Sequence, residues 1–357
     1  MHAPSQAERS GPSQTRGGGG VRTTRLAPSP TGALHLGNAR TFLINWALAR
    51  QNGWRIVLRI EDLDGPRIKD GAAESIIGTL RWLGMDWDEG PHVQSRDLSP
   101  YVGAMRTLAG AGRAFPCALT RAEIEAAASA PHGQSASVAR RAGPSPTPPT
   151  SGRGEGDGSS VTPSESRFPP DLRPPLAPRD FDDPHTNWRF ALPEGAVAFT
   201  DRFLGPQRID PSESVGDFVI WTKRTQPAYQ LAVVVDDHRQ GVTDVVRGDD
   251  LLDSAARQLL LARALSLAPE PEYTHLPLVV GEDGRRLAKR HGDTRVEHYR
   301  ARGVPVERVI GLIASWSGVQ GERRPMSAEE FAGAFNLASL PRAAAVFTRE
   351  DDAWLLG

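Results

Sequence analysis

An α/β fold built on a parallel, doubly wound sheet is expected from the first ordered stretch of this chain. There a strand-length run, a helix-length apolar pattern and a second strand-length run follow one another, and the second run ends on an acidic pair. Residues 21–27 form the first run, and Pro28 and Pro30 then fix φ and force a turn. Residues 41–51 carry Phe42, Leu43, Trp46 and Ala47 as an apolar stripe at helical spacing, and Asn52-Gly53 supplies the stop. Residues 54–60 (WRIVLRI) are the second strand, running into Glu61-Asp62. Such a unit implies a parallel crossover with ligands at the carboxyl ends of the strands.

Residues 71–83 and 101–111 predict two further helices. Prolines then cluster among Ser, Gly, Thr and Arg over residues 131–178. A segment of that composition buries too little apolar surface to offset its ordering entropy. It is expected to be a disordered insertion, 131–180 at its widest, and not a boundary between independent domains. Residues 188–192, 197–203 and 217–221 predict short strands. Residues 229–237 (YQLAVVVDD) suit either a buried strand or a buried helix. Residues 243–247 predict a strand running into a helix over 250–267, and 275–280 predict the last strand. From 295 onward the pattern is helical, with Pro305 at a helix start and Val306, Val309, Ile310 and Ile313 at helical spacing.

The 357 residues suit one large or two ordinary domains. A net charge of −1 gives no global signal for nucleic acid, although 42 Lys and Arg leave room for a local basic face. The single cysteine, Cys117, rules out an internal disulfide framework and fits a reducing, cytoplasmic setting. No apolar run reaches the length of a membrane span. Residues 1–20 lack the apolar core of a secretory signal and read as a disordered tail.

Gly32 and Gly37 precede the first helix at nearly the spacing of a phosphate-binding loop, but Asn38 and Ala39 stand where lysine and a hydroxyl residue belong. What remains is a glycine-bearing turn at a helix N-terminus, with His35 and Asn38 as donors. That arrangement suits a polyphosphate. It also suits a histidine that merely caps the helix or packs under the turn. A second basic loop, residues 284–292 (GRRLAKRHG), centres on Lys289. Alone it reads as a solvated charge run; paired with His35 it offers cations for a triphosphate.

Together these two stretches resemble the signature pair of class I aminoacyl-tRNA synthetases. His35-Leu36-Gly37-Asn38 is similar to their "HIGH" element, with Asn38 in place of the last histidine. Arg286-Leu287-Ala288-Lys289-Arg290 is similar to their "KMSKS" loop, with Ala288 in place of the serine. RLAPSPTGALHLGNART, LRIEDLD, VVVDDHRQGVTDVVRGDDLL, HLPLVV and LAKRHGDTRVEHYR resemble the glutamyl branch of that family, in the same order, over most of 21–117 and 187–357.

The resemblance implies a class I synthetase Rossmann-like sheet in two halves, 21–115 and 217–294. It further implies an inserted subdomain over 116–216, a helical stem-contact region over 295–357 and no anticodon-binding domain. A catalytic body of that kind implies activation of L-glutamate by ATP, then transfer to queuosine in the anticodon of tRNA(Asp). By the same resemblance Arg25, Ser29, Glu61, Tyr229 and Arg247 line the glutamate pocket. Arg25 and Arg247 can fork onto carboxylates and Glu61 can pair with the ammonium. Without the resemblance, Arg25, Glu61 and Arg247 read equally as an internal ion-pair network and Tyr229 as core. His35, Gly37, Asn38, Arg286, Leu287, Ala288, Lys289 and Arg290 would bind ATP, with His35, Asn38 and Lys289 the catalytic set.

Mg²⁺ is expected with ATP, without assigned protein ligands; Asp62, Asp64, Asp236 and Asp237 read as structural. Relatives often hold Zn²⁺ through a C-x-C pair and later ligands, but Leu119 stands at the second cysteine position, so no zinc is expected. The expected partner is a single anticodon stem-loop bound by a monomer. Two other readings share the fold: a truncated glutamyl-tRNA synthetase that charges an acceptor end, and a catalytically silent RNA-binding relative.

Overall fold

The computed structural model describes residues 20–129, 167–287 and 292–357. The remaining parts of the expected tail and insertion, residues 1–19 and 130–166, lie outside the described residues. Strand β1 (Thr23–Leu26), helix α1 (Leu36–Asn52), strand β2 (Arg55–Ile60), helix α2 (Ala72–Trp82) and strand β3 (Glu89–Val93) form a parallel three-stranded unit in the order β1-β2-β3. Helix α1 starts five residues before the apolar stripe, at Leu36. Its buried residues include Leu36, Ala39, Leu43, Ile44 and Leu48, which lie on more than one side of the helix. It packs on the sheet and also on a helix near the C-terminus, so a single stripe understates its burial. Gly53 closes it in the left-handed conformation, φ 64°, donating to Ala49 O. The sequence gives no strand signal at β3 because Gly90 and Pro91 interrupt it, but an edge strand tolerates both. Gly90 has φ +99°, and a Cβ there would collide with the Leu58 carbonyl.

Helix α3 (Ser99–Gly110) leads into β4 (Ala114–Cys117) and α4 (Arg121–Ser129). Beyond residue 166 come β5 (Asn187–Phe190), the hairpin β6 (Val197–Asp201) and β7 (Gly205–Ile209), the short α5 (Pro211–Ser214), and the hairpin β8 (Phe218–Thr222) and β9 (Gln226–Pro227). Strand pairing crosses the boundaries expected from sequence. Strand β8 joins the antiparallel sheet β4-β5-β8-β9, while the β6–β7 hairpin attaches to the main sheet.

Residues 167–180, expected within the disordered insertion, are placed. Phe168 is buried against Phe115, its N–H donates to Val215 O at 2.8 Å, and Arg173 Nε donates to Asp217 at 2.6 Å. Proline content hides this because a single buried aromatic and a half-buried ion pair anchor the segment.

Helix α6 (Tyr229–Arg239) resolves the ambiguous run. Residues 230–237 are buried without a break because α3, β8 and the next α-helix along the chain all pack against it. Strand β10 (Asp244–Gly248), helix α7 (Leu252–Ala264) and strand β11 (Glu272–Leu276) complete the parallel set. Strand β10 abuts β1 through Thr243 N–H to Thr23 O at 2.8 Å. The spatial order is therefore β3-β2-β1-β10-β11, with β6-β7 beyond. Order reverses between β1 and β10, the switch point at which such sheets bind ligands.

Pro277 divides the run expected as one strand into β11 and β12 (Val279–Gly281). Strand β12 turns away from the main sheet. The C-terminal region comprises α8 (Val296–Ala301), α9 (Val306–Trp316), α10 (Ala328–Ala334), β13 (Ala345–Phe347) and α11 (Arg349–Leu356). It is not wholly helical, because β13 pairs in parallel with β12. Ser327 with Glu330 and Thr348 with Asp351 form reciprocal caps on α10 and α11.

Helix α9 touches the backbone of Arg324 and Pro325 at Gly311, where a Cβ would collide with the Arg324 carbonyl. Gly103, exposed within α3, has open space around it. Gly311→Ala is expected to lower stability by about 1–3 kcal/mol through overpacking. Gly103→Ala is expected to raise it by about 0.5–1 kcal/mol. Urea unfolding of both variants beside the parent chain checks the pair.

Candidate active site

The carboxyl ends of β1, β2 and β10 and the first turn of α6 converge at the switch point. Arg25, in β1, is buried; its Nε lies 3.4 Å from Asp237 Oδ1 but makes no hydrogen bond, and Nη1 donates to Val246 O at 3.4 Å. Arg59, in β2, is completely buried. It donates to Asp237 at 2.7 Å, Gln240 at 2.8 Å and Glu61 at 3.0 Å. Burial opposes the Arg59 charge, but Asp237 and Glu61 outweigh it and raise its pKa. Burial is also the largest influence on Glu61 and lifts its pKa, against the pull of Arg59 and Arg25. Tyr229 opens α6 with 41 % of its surface exposed. Its hydroxyl lies within electrostatic reach of Glu61, Arg247, Arg25 and Asp237; desolvation first, and Glu61 second, raise its pKa.

Arg247, in β10, is 4 % exposed. Its Nε donates to His275 Nε2 at 3.0 Å, Nη1 to Gln258 Oε1 at 2.8 Å and Nη2 to Leu251 O at 3.1 Å, and the guanidinium lies 5.0 Å from the Tyr273 ring centroid. All these partners are neutral or aromatic, and among the described residues Arg247 makes no ion pair. The ion-pair alternative thus fits Arg25, Arg59, Glu61 and Asp237, and fails for Arg247. Ser29 sits exposed on the loop after β1, whose Pro28 O accepts from Glu61 N–H at 3.0 Å.

The second cluster of expected residues lies at the start of α1. His35 is the residue preceding the helix, yet its side chain makes no capping hydrogen bond. Its Nδ1 instead lies 3.1 Å from Thr294 Oγ1, while Leu36 N–H donates to Thr294 O and Val296 N–H to Leu34 O. The first loop is thereby stitched to the segment that follows the second. A Cβ at Gly37 would sit 3.4 Å from Val279 Cβ, so α1 approaches β12 closely there. Asn38 is half-buried beside it. Arg286 Nη1 pairs with Asp250 at 2.8 Å and Leu287 is buried in the main core. Ala288, Lys289 and Arg290 lie outside the described residues.

Asp62 accepts from Ser95, Asp64 pairs with Arg67, and Asp236 accepts from Tyr101 and Gln94. Asp237 differs in standing inside the pocket cluster. Arg59, His275, Asp201, Gln258 and Thr294 are site neighbours that sequence reasoning missed. Only Arg59 carried a signal: an arginine set between apolar residues in the interior of a strand needs a buried partner. Among the described residues no three His, Cys, Asp or Glu side chains converge to hold a metal ion. Cys117 is buried in β4. No helix among the described residues is long and apolar enough to cross a membrane.

The family model for the catalytic domain of class I tRNA synthetases (E and Q) matches residues 21–144 and 177–354, and the chain belongs to that class of ATP-using ligases. A glutamyl-Q tRNA(Asp) synthetase of Symbiobacterium thermophilum is 46% identical over 326 residues, covering 89% of this chain and 93% of the relative. One of Rhodopirellula baltica is 47% identical over 300 residues, covering 83% and 84%. Within the class, the family is that of the glutamyl-Q tRNA(Asp) synthetases. A crystal structure of a glutamate tRNA ligase from Elizabethkingia meningosepticum, in complex with its amino acid, superposes with TM-score 0.69 at 25% identity, covering 94% of this chain and 68% of that one.

Arg59→Met would leave Glu61 and Asp237 without their shared buried partner. Breaking a buried pair from one side costs about 3–5 kcal/mol. A loss of that size in chemical denaturation is expected, and one below about 1 kcal/mol, the size of an exposed pair, would show that the contact contributes little.

Proposed function

We propose that this chain activates L-glutamate with ATP and passes the glutamyl group to queuosine in the anticodon of tRNA(Asp). The observation that carries the reading is charge balance at the switch point. Arg25 and Arg59 are matched by Glu61 and Asp237, Asp236 is matched by Arg239 at 3.6 Å, and buried Arg247 has no ion-pair partner among the described residues. One positive charge is left over, and glutamate carries one net negative charge. Desolvated charge demands a partner, so the pocket suits an acidic amino acid better than a neutral one. Identity of 46% to a glutamyl-Q tRNA(Asp) synthetase supports the choice of acceptor.

In this reading Arg247 and Arg25 hold the carboxylates of glutamate, Glu61 takes its ammonium, and Tyr229 and Ser29 add hydrogen bonds. An α-carboxylate oxygen of glutamate attacks the α-phosphorus of ATP, forming the acyl-phosphate bond as the bond to pyrophosphate breaks. The substrate is its own nucleophile, so the residues position two anions in line and stabilise charge on the phosphate oxygens. His35 and Asn38 donate to those oxygens and Gly37 lets the nucleotide approach. Lys289, with Arg286, Leu287, Ala288 and Arg290 forming its loop, neutralises the departing pyrophosphate. Mg²⁺ arrives on the phosphates of ATP, without a dedicated protein cage. A hydroxyl of queuosine then attacks the activated carbonyl, and AMP leaves. The reading assigns no zinc, since one thiolate supplies a single ligand, and it describes a monomer working in the cytoplasm.

Labelled glutamate, ATP and tRNA(Asp) with or without queuosine test the proposal directly. Label is expected only on the queuosine form; label on tRNA(Glu) would transfer the activity to acceptor-end charging, and no pyrophosphate exchange would sink both. Glutamate should also raise the melting temperature, by an amount equivalent to about 2.7 kcal/mol at a hundredfold excess over Kd, whereas glutamine at the same concentration should not. Lys289→Ala should slow glutamate-dependent pyrophosphate exchange by about 10²- to 10³-fold, the cost of removing one transition-state donor.

A further inference from the structure

Arg247 reaches its neighbours through three nitrogens, and the bond from Nε carries information about a proton. A guanidinium Nε always bears hydrogen and can only donate. The 3.0 Å contact with His275 Nε2 therefore requires a lone pair on that nitrogen. The proton of neutral His275 must then sit on Nδ1, which lies 2.7 Å from Asp201 Oδ2. Asp201 is fixed in turn. Its Oδ1 accepts from Phe203 N–H at 2.9 Å and Leu204 N–H at 2.8 Å, and its Oδ2 accepts from His275 N–H at 3.0 Å. The side chains of Asp201 and His275 are wholly buried. Burial, the largest influence, together with the Arg247 charge lowers the His275 pKa against the pull of Asp201, consistent with an uncharged ring.

We propose that Asp201 and His275 are positioning residues for glutamate binding, with Asp201 selecting the His275 tautomer that accepts from Arg247 and so aims its guanidinium at the substrate carboxylate. The inference rests on the reading of Arg247 given above. With the opposite tautomer, Nε2–H would face Nε–H of Arg247, donor against donor. The guanidinium would turn away from the pocket, although Gln258 and Leu251 O still hold its other end. Neither Asp201 nor His275 touches the reacting atoms; their effect passes through one hydrogen bond.

The test is glutamate-dependent pyrophosphate exchange by the full chain, with KM measured separately for glutamate and ATP. Asp201→Asn can keep Oδ1 on Phe203 and Leu204 N–H, and on His275 N–H, which already lies 3.3 Å from it, while turning an amide N–H₂ toward Nδ1, which favours the wrong tautomer. It should raise the glutamate KM about ten- to a hundredfold, as expected for a lost hydrogen bond to a charged group, and leave the ATP KM near its original value. His275→Leu, which removes the acceptor, should do the same. His275→Gln places Oε1 near the position of Nε2 and should restore most of the affinity. In a His275→Gln background no tautomer remains to be chosen, so Asp201→Asn should add little. Additive effects in that double-mutant cycle, or equal rises in both KM values, would mean a merely structural role and overturn the proposal. An unchanged glutamate KM in Asp201→Asn would also overturn it. If Arg247→Ala leaves the glutamate KM unchanged, the functional reading itself fails, a result separable from failure of the tautomer alone.

Discussion

A guanidinium withdrawn from water must find acceptors, and the cost of leaving it without a counter-charge shapes everything around Arg247. Its neighbours come from three elements: Gln258 from α7, His275 from β11 and the Leu251 carbonyl from the turn after β10. Each is itself held. Gln258 donates to Gln230, Gln230 donates to Ser254, and His275 is held by Asp201. The polar groups in direct contact with Arg247 are thus neutral acceptors aimed at one cation, with the Asp201 carboxylate one step behind them. Neutral acceptors satisfy its hydrogen-bonding capacity and leave its charge unpaired. That combination keeps a cation both ordered and receptive to an anion, which an ion pair with aspartate would not do.

Around Arg59 the solution is the opposite one. Asp237 and Glu61 both bond to it, whereas Arg25 only lies 3.4 Å from Asp237 and its Nε makes no hydrogen bond. Position in the sheet accounts for the difference. Arg59 is in β2, which is flanked by β1 and β3 and fully buried beyond its first residue, so its charge can be matched only from within the protein. Arg247 lies near the end of β10, beside the reversal of strand order, where a crevice supplies a place for something that is not protein. Sheet topology therefore decides which arginine is structural and which can serve a ligand, before any detail of side-chain chemistry.

The parallel sheet and the crossover helix α1 could be read from the chain because each rests on a local pattern. Arg25, Glu61, Tyr229 and Arg247 are singled out by the family resemblance alone, since their own patterns fit an internal ion-pair network and a core tyrosine equally well. Other features depended on contacts far apart in sequence. The strand character of β3 comes from pairing with β2 and overrides Gly90 and Pro91. Pro277 splits a run of strand formers, and β12 then finds its partner in β13, which no local pattern announces. Phe168 anchors a proline-rich segment through one aromatic contact and one backbone bond. His275 read as an ordinary apolar-strand residue because its role requires Asp201 from another strand, a pairing visible only in three dimensions.

The same dependence on tertiary contact explains how the segments around two short motifs far apart in the sequence are tied together. The loop before α1 leaves His35 and Leu36 at the helix start, and both bond to Thr294. On the other side of the second loop, Leu287 enters the main core and Arg286 pairs with Asp250 beyond the end of β10. The second loop is therefore pinned at both ends, once to the first loop and once to the margin of the strand that carries Arg247. The departures at Asn38 and Ala288 leave these ties in place, since the backbone of Leu36 and Val296 and the side chains of Thr294 and Arg286 make them. Side-chain changes at those two positions are therefore compatible with the contacts that tie the flanking segments together.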